Sequence, residues 1–303
     1  MNQLGIVGLG KMGANMARRL SRSGIKLTVF DQNESTTTGL AKEIGATAAA
    51  NLSGLVEQLA SPRRIWLMLP AGEITEKTIQ ALRPMLKAGD ILIDGANTFY
   101  KDTIRRSAEL ATQKIEYVDV GVSGGIWGEK NGYAMMIGGT PAAVAQLKTV
   151  FEALAPAPDK GWLHCGPHGS GHYVKMIHNG IEYGMMQAFA EGLSLLQNKK
   201  EFELNIGEIS EMWRHGSVVR SWLLDLIAEF LNKENALQGV APFVADSGEG
   251  RWTAMEAIEQ GIPSPVMTLA LISRFSSQGK DDFASQLLAM MRRGFGGHDI
   301  KSK

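Results

Sequence analysis

Cysteine, net charge and long apolar runs are the scarce features of this chain. One of its 303 residues is cysteine, Cys165. That excludes an internal disulfide framework and a zinc site built from cysteines, and it fits a reducing, cytoplasmic setting. The 31 basic and 31 acidic side chains cancel. A nucleic-acid binder carries a basic excess to meet phosphates, so no nucleic-acid partner is expected. No apolar run approaches the roughly 20 residues of a membrane span, and no membrane partner is expected. The N-terminus, Met1-Asn2-Gln3, enters an apolar strand-like run at once. It lacks the basic region, apolar stretch and small-residue cleavage site of a signal peptide.

What is present is an ordinary globular composition, 44% hydrophobic and 20% charged. The chain is long enough to bury a sizeable core and, at about 150 residues per domain, to form two domains. Glycine is in excess, with 35 residues against an average of about 7%. Most glycines lie in separated turns of the first 185 residues, which implies tight turns and close backbone approaches.

The first half alternates short apolar runs with amphipathic stretches. The runs are Leu4–Val7, Leu27–Phe30, Ile65–Leu69, Ile91–Ile93, Tyr117–Val122 and Ala134–Ile137, several ending in glycine, proline or aspartate. Lys11–Ser23 reads as a helix closed by Gly24, and Pro141–Leu154 as a helix with proline in its first turn. Short runs separated by helices predict a mostly parallel sheet of βαβ units. After about Gly171 the pattern becomes helical: Val174–Gln197, Ile206–Arg214, Ser221–Asn232, Trp252–Gln260, Val266–Ser277 and Asp282–Arg293. The expected fold is an α/β Rossmann domain over residues 1–166, followed by an all-α domain over 167–303.

Gly8-Leu9-Gly10-Lys11-Met12-Gly13 is a G-x-G-x-x-G motif with a strand before it and a helix after it. Gly8 allows the tight turn, Gly10 lets the backbone approach a pyrophosphate, and Gly13 lets helix and strand pack closely; the helix N-terminus offers free N–H groups. Asp31 ends the second run 18 residues after Gly13. A carboxylate there accepts from the ribose 2′-OH of NAD and repels the 2′-phosphate of NADP, so NAD is favoured over NADP. The plainer readings are a glycine-rich turn that binds nothing and a solvated strand-end aspartate.

Gly169–Gly184 is the most informative stretch. As a helix it places Val174, Ile177, Ile181, Met185 and Ala188 on one apolar stripe. Lys175, His178, Asn179 and Glu182 lie on a polar stripe beside it. Lys175 and Glu182 are seven residues apart, hence on one face and about 10 Å apart along the axis. That suits a substrate a few carbons long, with a base at one end and an acid at the other. A merely solvated face is the plainer reading. Gly180 and Gly184 weaken a helix and point to close approach by another segment or ligand.

Here the chain resembles the decarboxylating 6-phosphogluconate dehydrogenases of the short-chain, NAD-preferring type, within the wider β-hydroxyacid dehydrogenases. The residues that carry the resemblance are G-x-G-H-x-V-K-M-x-H-N-G-I-E-Y-G at Gly169–Gly184 and R-x-x-F-G-x-H at Arg292–His298. Ser123-Gly124-Gly125, Asp94-Gly95-Ala96-Asn97 and the N-terminal G-L-G-x-M-G add to it. The resemblance implies Lys175 as general base and Glu182 as general acid. It implies that Asn97, Ser123, Gly124, Gly125, His178 and Asn179 hold the sugar acid, and that Tyr183 and Arg274 bind its phosphate. Leu69 and Asn97 complete the cofactor set with Gly8, Leu9, Gly10, Lys11, Met12, Gly13 and Asp31. Arg292 and His298 would enter the active site of a neighbouring subunit, in a homo-oligomer that is a dimer or a tetramer. One departure stands out. Long-chain members carry a lysine-rich loop, whereas this chain has the shorter Asp246-Ser247-Gly248-Glu249-Gly250-Arg251-Trp252-Thr253. Arg251 is the candidate replacement for a phosphate-binding lysine.

The implied chemistry uses no metal. Oxidation at C3 of a 3-hydroxy acid gives a β-keto acid, which loses CO2 readily. The base must be neutral, as a lysine becomes through desolvation and nearby positive charge. His164, His168 and His172 are spaced by four, but the glycines and proline between them argue against one helix carrying a metal site. Cys165 reads as a packed or partly exposed thiol. Met185, Met186, Met290, Met291, Trp213, Trp222 and Trp252 read as packing residues. Two rival functions remain: another β-hydroxyacid dehydrogenase of the 3-hydroxyisobutyrate or tartronate-semialdehyde type, and a nicotinamide-binding sensor without turnover.

Overall fold

The apolar runs of the first half do form strands. In the computed structural model, which describes residues 3–233, 237–296 and 299, they are β1 (Gln3–Val7), β2 (Lys26–Phe30), β4 (Arg64–Leu67), β5 (Ile91–Asp94), β6 (Glu116–Ser123) and β7 (Ala134–Gly138), joined by two strands outside those runs, β3 (Thr47–Ala48) and β8 (Trp162–Gly166). They build one sheet in the order β3-β2-β1-β4-β5-β6-β7-β8. Every neighbouring pair is parallel except β6 with β7. Between strands run α1 (Lys11–Arg22), α2 (Glu34–Ile44), α3 (Leu52–Glu57), α4 (Glu73–Leu82), α5 (Tyr100–Ala111), α6 (Gly128–Asn131), α7 (Pro141–Gln146) and α8 (Lys148–Leu154). The remainder is helical: α9 (Ser170–Asn198), α10 (Ile206–Arg214), α11 (Trp222–Leu231), α12 (Glu249–Gln260), α13 (Pro265–Ser277) and α14 (Asp282–Gly296). The fold is thus the expected Rossmann sheet with a helical C-terminal region. Among the described residues no helix is long and apolar enough to cross a membrane.

A parallel sheet with helices on both faces is apolar on both faces, and the strands show it. Leu4, Ile6, Trp66, Ile93 and Val118 enter one core with Met16 and Leu20 of α1 and Phe151 of α8. Val7, Ile65, Leu67, Leu92 and Tyr117 enter the other, with Ile79 of α4 and Leu110 of α5. The strand order turns back between β1 and β4, and a parallel α/β sheet leaves a ligand crevice at such a switch point.

The chain divides into two compact units between Ile177 and His178, inside α9. Several details differ from expectation. β8 has no counterpart in the sequence reading: it is an edge strand beside β7 whose Leu163 is exposed, so its apolar pattern is weak. The expected helix over Pro141–Leu154 breaks at Leu147, with φ −100° and ψ 0°. Ser170 and Gly171 are helical despite the neighbouring glycines, because the start of α9 is capped from β6, as described below. His164 then sits on β8 and His172 on α9.

The largest correction concerns the faces of α9. Val174 and Ile181 of the apolar stripe are 38% and 51% exposed and Met185, expected to pack, is 41% exposed, whereas Lys175, Met176 and Tyr183 are buried. Met186, Met290, Met291 and Trp222, expected to pack, are also exposed. Periodicity identifies two faces of a helix but does not say which one its own chain covers.

Candidate active site

In the first unit, β1 delivers the chain into Gly8, whose φ is +91°. A β-carbon at Gly8 would stand 2.4 Å from the Met68 carbonyl oxygen, and one at Gly13 would stand 2.0 Å from the Gly8 oxygen. Both positions therefore require glycine. At Gly10 a β-carbon would meet nothing within 4 Å: the backbone is uncovered where α1 begins, with Lys11 exposed and Leu9 and Gly13 buried. Asp31 follows β2, and its Oδ2 accepts the N–H of Leu9 at 2.8 Å while Oδ1 accepts that of Asn33 at 2.9 Å. The carboxylate thus braces the glycine turn from the second strand. Beside it opens a cavity of about 620 Å³ lined by Gly8, Asp31, Gln32, Ser53, Leu69 and Ile74 among others. The uncovered turn, the helix N-terminus and a carboxylate at the cavity wall fit a dinucleotide.

Three more segments of this unit carry assigned residues. Asn97 lies in the turn after β5, below which Asp94 is completely buried. Ser123, Gly124 and Gly125 follow from the end of β6, with φ +138° at Gly124. Lys175, in the second turn of α9, is 8% exposed, and its stem rests on β6: a β-carbon at Gly121 would stand 2.3 Å from Lys175 Cβ.

In the second unit, His178 Nδ1 is 3.1 Å from Asn179 Oδ1 and 3.8 Å from Glu182 Oε2, so these side chains form one polar cluster on α9. Gly180 and Gly184 do admit close neighbours. β-Carbons there would meet Thr253 of α12 at 2.6 Å and Val266 of α13 at 3.3 Å. The Arg274 guanidinium lies 3.4 Å over the Tyr183 ring and donates to the Ala245 carbonyl. The Tyr183 hydroxyl is buried and bonds to no protein atom. Arg251 pairs with Asp246 and stacks 4.5 Å over Phe275. Arg292 is exposed and lies within α14, which continues through Gly296 rather than ending before this segment. Extending an existing helix needs no new nucleus, so glycines are tolerated. His298 lies outside the described residues.

Family models cover nearly the whole chain. The model described as the NAD binding domain of 6-phosphogluconate dehydrogenase matches residues 3–166, and that of the 6-phosphogluconate dehydrogenase C-terminal domain matches 171–294. The chain belongs to the 6-phosphogluconate dehydrogenase family. It is 39% identical over 302 residues to the NAD(+)-dependent decarboxylating 6-phosphogluconate dehydrogenase of Haloferax volcanii, covering 99% of each. It is 36% identical to the NADP(+)-dependent decarboxylating enzyme of Bacillus subtilis, over 92% of this chain and 62% of that protein. The solved Plasmodium falciparum 6-phosphogluconate dehydrogenase, described in apo form and with NADP+ or 6-phosphogluconate, superposes with a TM-score of 0.85 at 29% identity. It covers 99% of this chain and 66% of that one. The chain spans less than two thirds of these two longer relatives.

Within this family member, sequence reasoning gave no role to a second tier of buried polar residues. Asp119 of β6 accepts two backbone N–H groups from the start of α9. His172 Nδ1 is hydrogen-bonded to Thr103 Oγ1 of α5 at 2.7 Å, and its Nε2 is buried without a protein partner. Below the Asn97 turn, Asp94 gathers Tyr117, Thr98 and Arg106. The available signal was a charged residue in an apolar strand run, since a buried charge is kept only where it is paired.

Proposed function

We propose that this chain catalyses the oxidative decarboxylation of 6-phospho-D-gluconate to D-ribulose 5-phosphate and CO2, with reduction of NAD, as a step of gluconate use in the pentose phosphate pathway. The observation that carries the proposal is a buried lysine on α9, its stem resting on the strand that runs on to Ser123-Gly124-Gly125. Residues 1–166 would form the NAD-binding domain and residues 167–303 the substrate-binding and oligomerisation domain. The extents of the two family models support that division.

Lys175 takes the proton of the C3 hydroxyl. Bound through Gly8–Gly13, Asp31, Leu69 and Asn97, NAD supplies the hydride acceptor. The lysine, now an ammonium, then polarises the C3 carbonyl and draws electron density from the breaking C1–C2 bond as CO2 departs. Glu182 gives a proton to the former C2 of the resulting enediol, which becomes C1 of D-ribulose 5-phosphate. Asn97, Ser123, Gly124, Gly125, His178 and Asn179 orient the sugar acid, and Tyr183, Arg274 and Arg251 receive its phosphate. Asp31 supports NAD over NADP, because its carboxylate stands at the cavity wall where a 2′-phosphate would be repelled.

The working form is a homo-oligomer whose Arg292 and His298 complete the neighbouring site. The exposed apolar side chains of α9 and α14, among them Ile181, Met185, Leu287, Leu288 and Met291, support it. Such a surface is ordinarily covered by a partner.

The test is CO2 release and NADH formation from 6-phosphogluconate, beside 3-hydroxyisobutyrate and tartronate semialdehyde as rival substrates. Lys175→Met should lose at least ~100-fold in turnover, the usual contribution of a general base. Preference for a rival substrate, or a near-native rate in Lys175→Met, would overturn the reading.

A further inference from the structure

We infer that Asp119, which has no part in the proton transfers above, is a positioning residue for Lys175; the inference rests on the reading of Lys175 as general base. Asp119 lies in β6 and is completely buried. Its Oδ1 accepts the N–H of Gly169 at 2.8 Å and its Oδ2 that of His172 at 2.9 Å. These are the cap and third positions of α9. In most helices the capping side chain itself takes the third N–H. Gly169 has no side chain and has no room for one. Its φ is +90°, and a β-carbon would stand 2.8 Å from Ile104 Cγ1. The sheet therefore supplies the cap, and a carboxylate there also complements the positive end of the helix.

The same contact sets where the helix lies. A β-carbon at Gly171 would fall 2.5 Å from the Met136 oxygen, 2.7 Å from the Asp119 oxygen and 2.7 Å from the Gly138 nitrogen, so the α9 backbone rests directly on β6 and β7. One turn later the Lys175 stem rests on Gly121. Gly138 leaves the carboxylate no slack either, since a β-carbon there would stand 2.4 Å from Asp119 Oδ1. One strand thus carries, in order, the residue that grips α9, the glycine under the lysine, and the serine that opens the Ser123-Gly124-Gly125 turn. Releasing the grip moves Lys175 relative to that turn, and a misplacement of ~1 Å costs on the order of 100-fold in rate.

Asp119→Asn keeps the shape but turns one acceptor into a donor facing an N–H. It should lower kcat by ~10- to 100-fold and leave the KM for NAD within ~2-fold, because the glycine cradle does not depend on it. Gly121→Ala pushes the same lysine from the strand side with Asp119 intact, and should give the same split. The double variant should lose less than the product of the two, since both displace one side chain. Folding is checked by circular dichroism and NAD binding, with Asp119→Ser as the second Asp119 variant. A folded Asp119→Asn with native kcat overturns the inference, as does a loss confined to the KM for NAD, or losses that multiply. If neither Asp119 variant folds, Asp119 is a folding residue and the inference also falls. A near-native Lys175→Met would instead overturn the general-base reading. An inactive Lys175→Met beside a native Asp119→Asn would overturn the positioning inference alone.

Discussion

Replacing Arg106 by methionine should destabilise the first unit by about 3–5 kcal/mol, the usual cost of stripping one partner from a buried ion pair. Arg106 is 2% exposed on α5. It donates Nε to Glu76 Oε2 at 2.9 Å and approaches Asp94 Oδ2 at 3.4 Å. Methionine matches the arginine stem in volume but leaves Asp94, completely buried, without this cation, beside the neutral donors Tyr117 at 2.6 Å, Thr98 at 3.2 Å and the Ala96 N–H at 3.0 Å. Glu76 keeps Arg105 at 2.6 Å, so the loss concentrates at Asp94. A domain is stable by only about 5–15 kcal/mol, so the variant should unfold at clearly lower urea, followed by circular dichroism and NAD binding on the same samples. Adding Asp94→Asn should recover part of the loss, because the stranded charge is gone. The pH dependence has a definite sign. Hydrogen bonds from Arg105, then Arg106, hold the Glu76 carboxyl down to about 2 from its ordinary 4.5. Its contribution is therefore complete above about pH 4.5 and is lost as pH falls toward 2. The part of the difference between wild type and variant that comes through Glu76 should narrow in that window. A loss under ~1 kcal/mol at neutral pH, or no recovery with Asp94→Asn, would refute this account of the network.

Two further outcomes are expected. Asp31→Gly with Gln32→Arg should shift preference from NAD toward NADP. Asp31→Ala alone should raise the KM for NAD by ~10-fold or more, since it removes both the ribose acceptor and the brace on Leu9; an unmodified protein that uses NADP at least as well as NAD would end that reading. Mixing Arg292→Ala with Lys175→Met protein should restore activity in hybrids that unite an intact lysine with an intact partner tail, and confirmed subunit exchange without activity would rule out a shared site.

Legibility in the sequence followed the range of the interactions. The turn from β1 through Gly8, Gly10 and Gly13 to Asp31 was readable because strand, turn, helix and carboxylate are close in sequence and each residue type has one local reason to be there. β8 was not, because an edge strand with an exposed Leu163 carries little apolar pattern. The brace from Asp119 to Gly169 and His172 spans 50 and 53 residues, and nothing local signals such a pairing beyond an aspartate inside the Tyr117–Val122 run.

The faces of α9 show a different limit. Val174, Ile181 and Met185 have the spacing of a core stripe and lie open in the single chain. The glycines held better local information: in the first unit Gly171 marks where β7 comes close, and in the second Gly180 and Gly184 mark where α12 and α13 do. An exposed apolar stripe on a helix is what a second copy of the chain would cover. The proposed assembly would account for the exposure of this stripe, which connects it to the hybrid experiment: the contact that would bury Ile181 and Met185 is of the same kind that would carry Arg292 to another subunit's lysine.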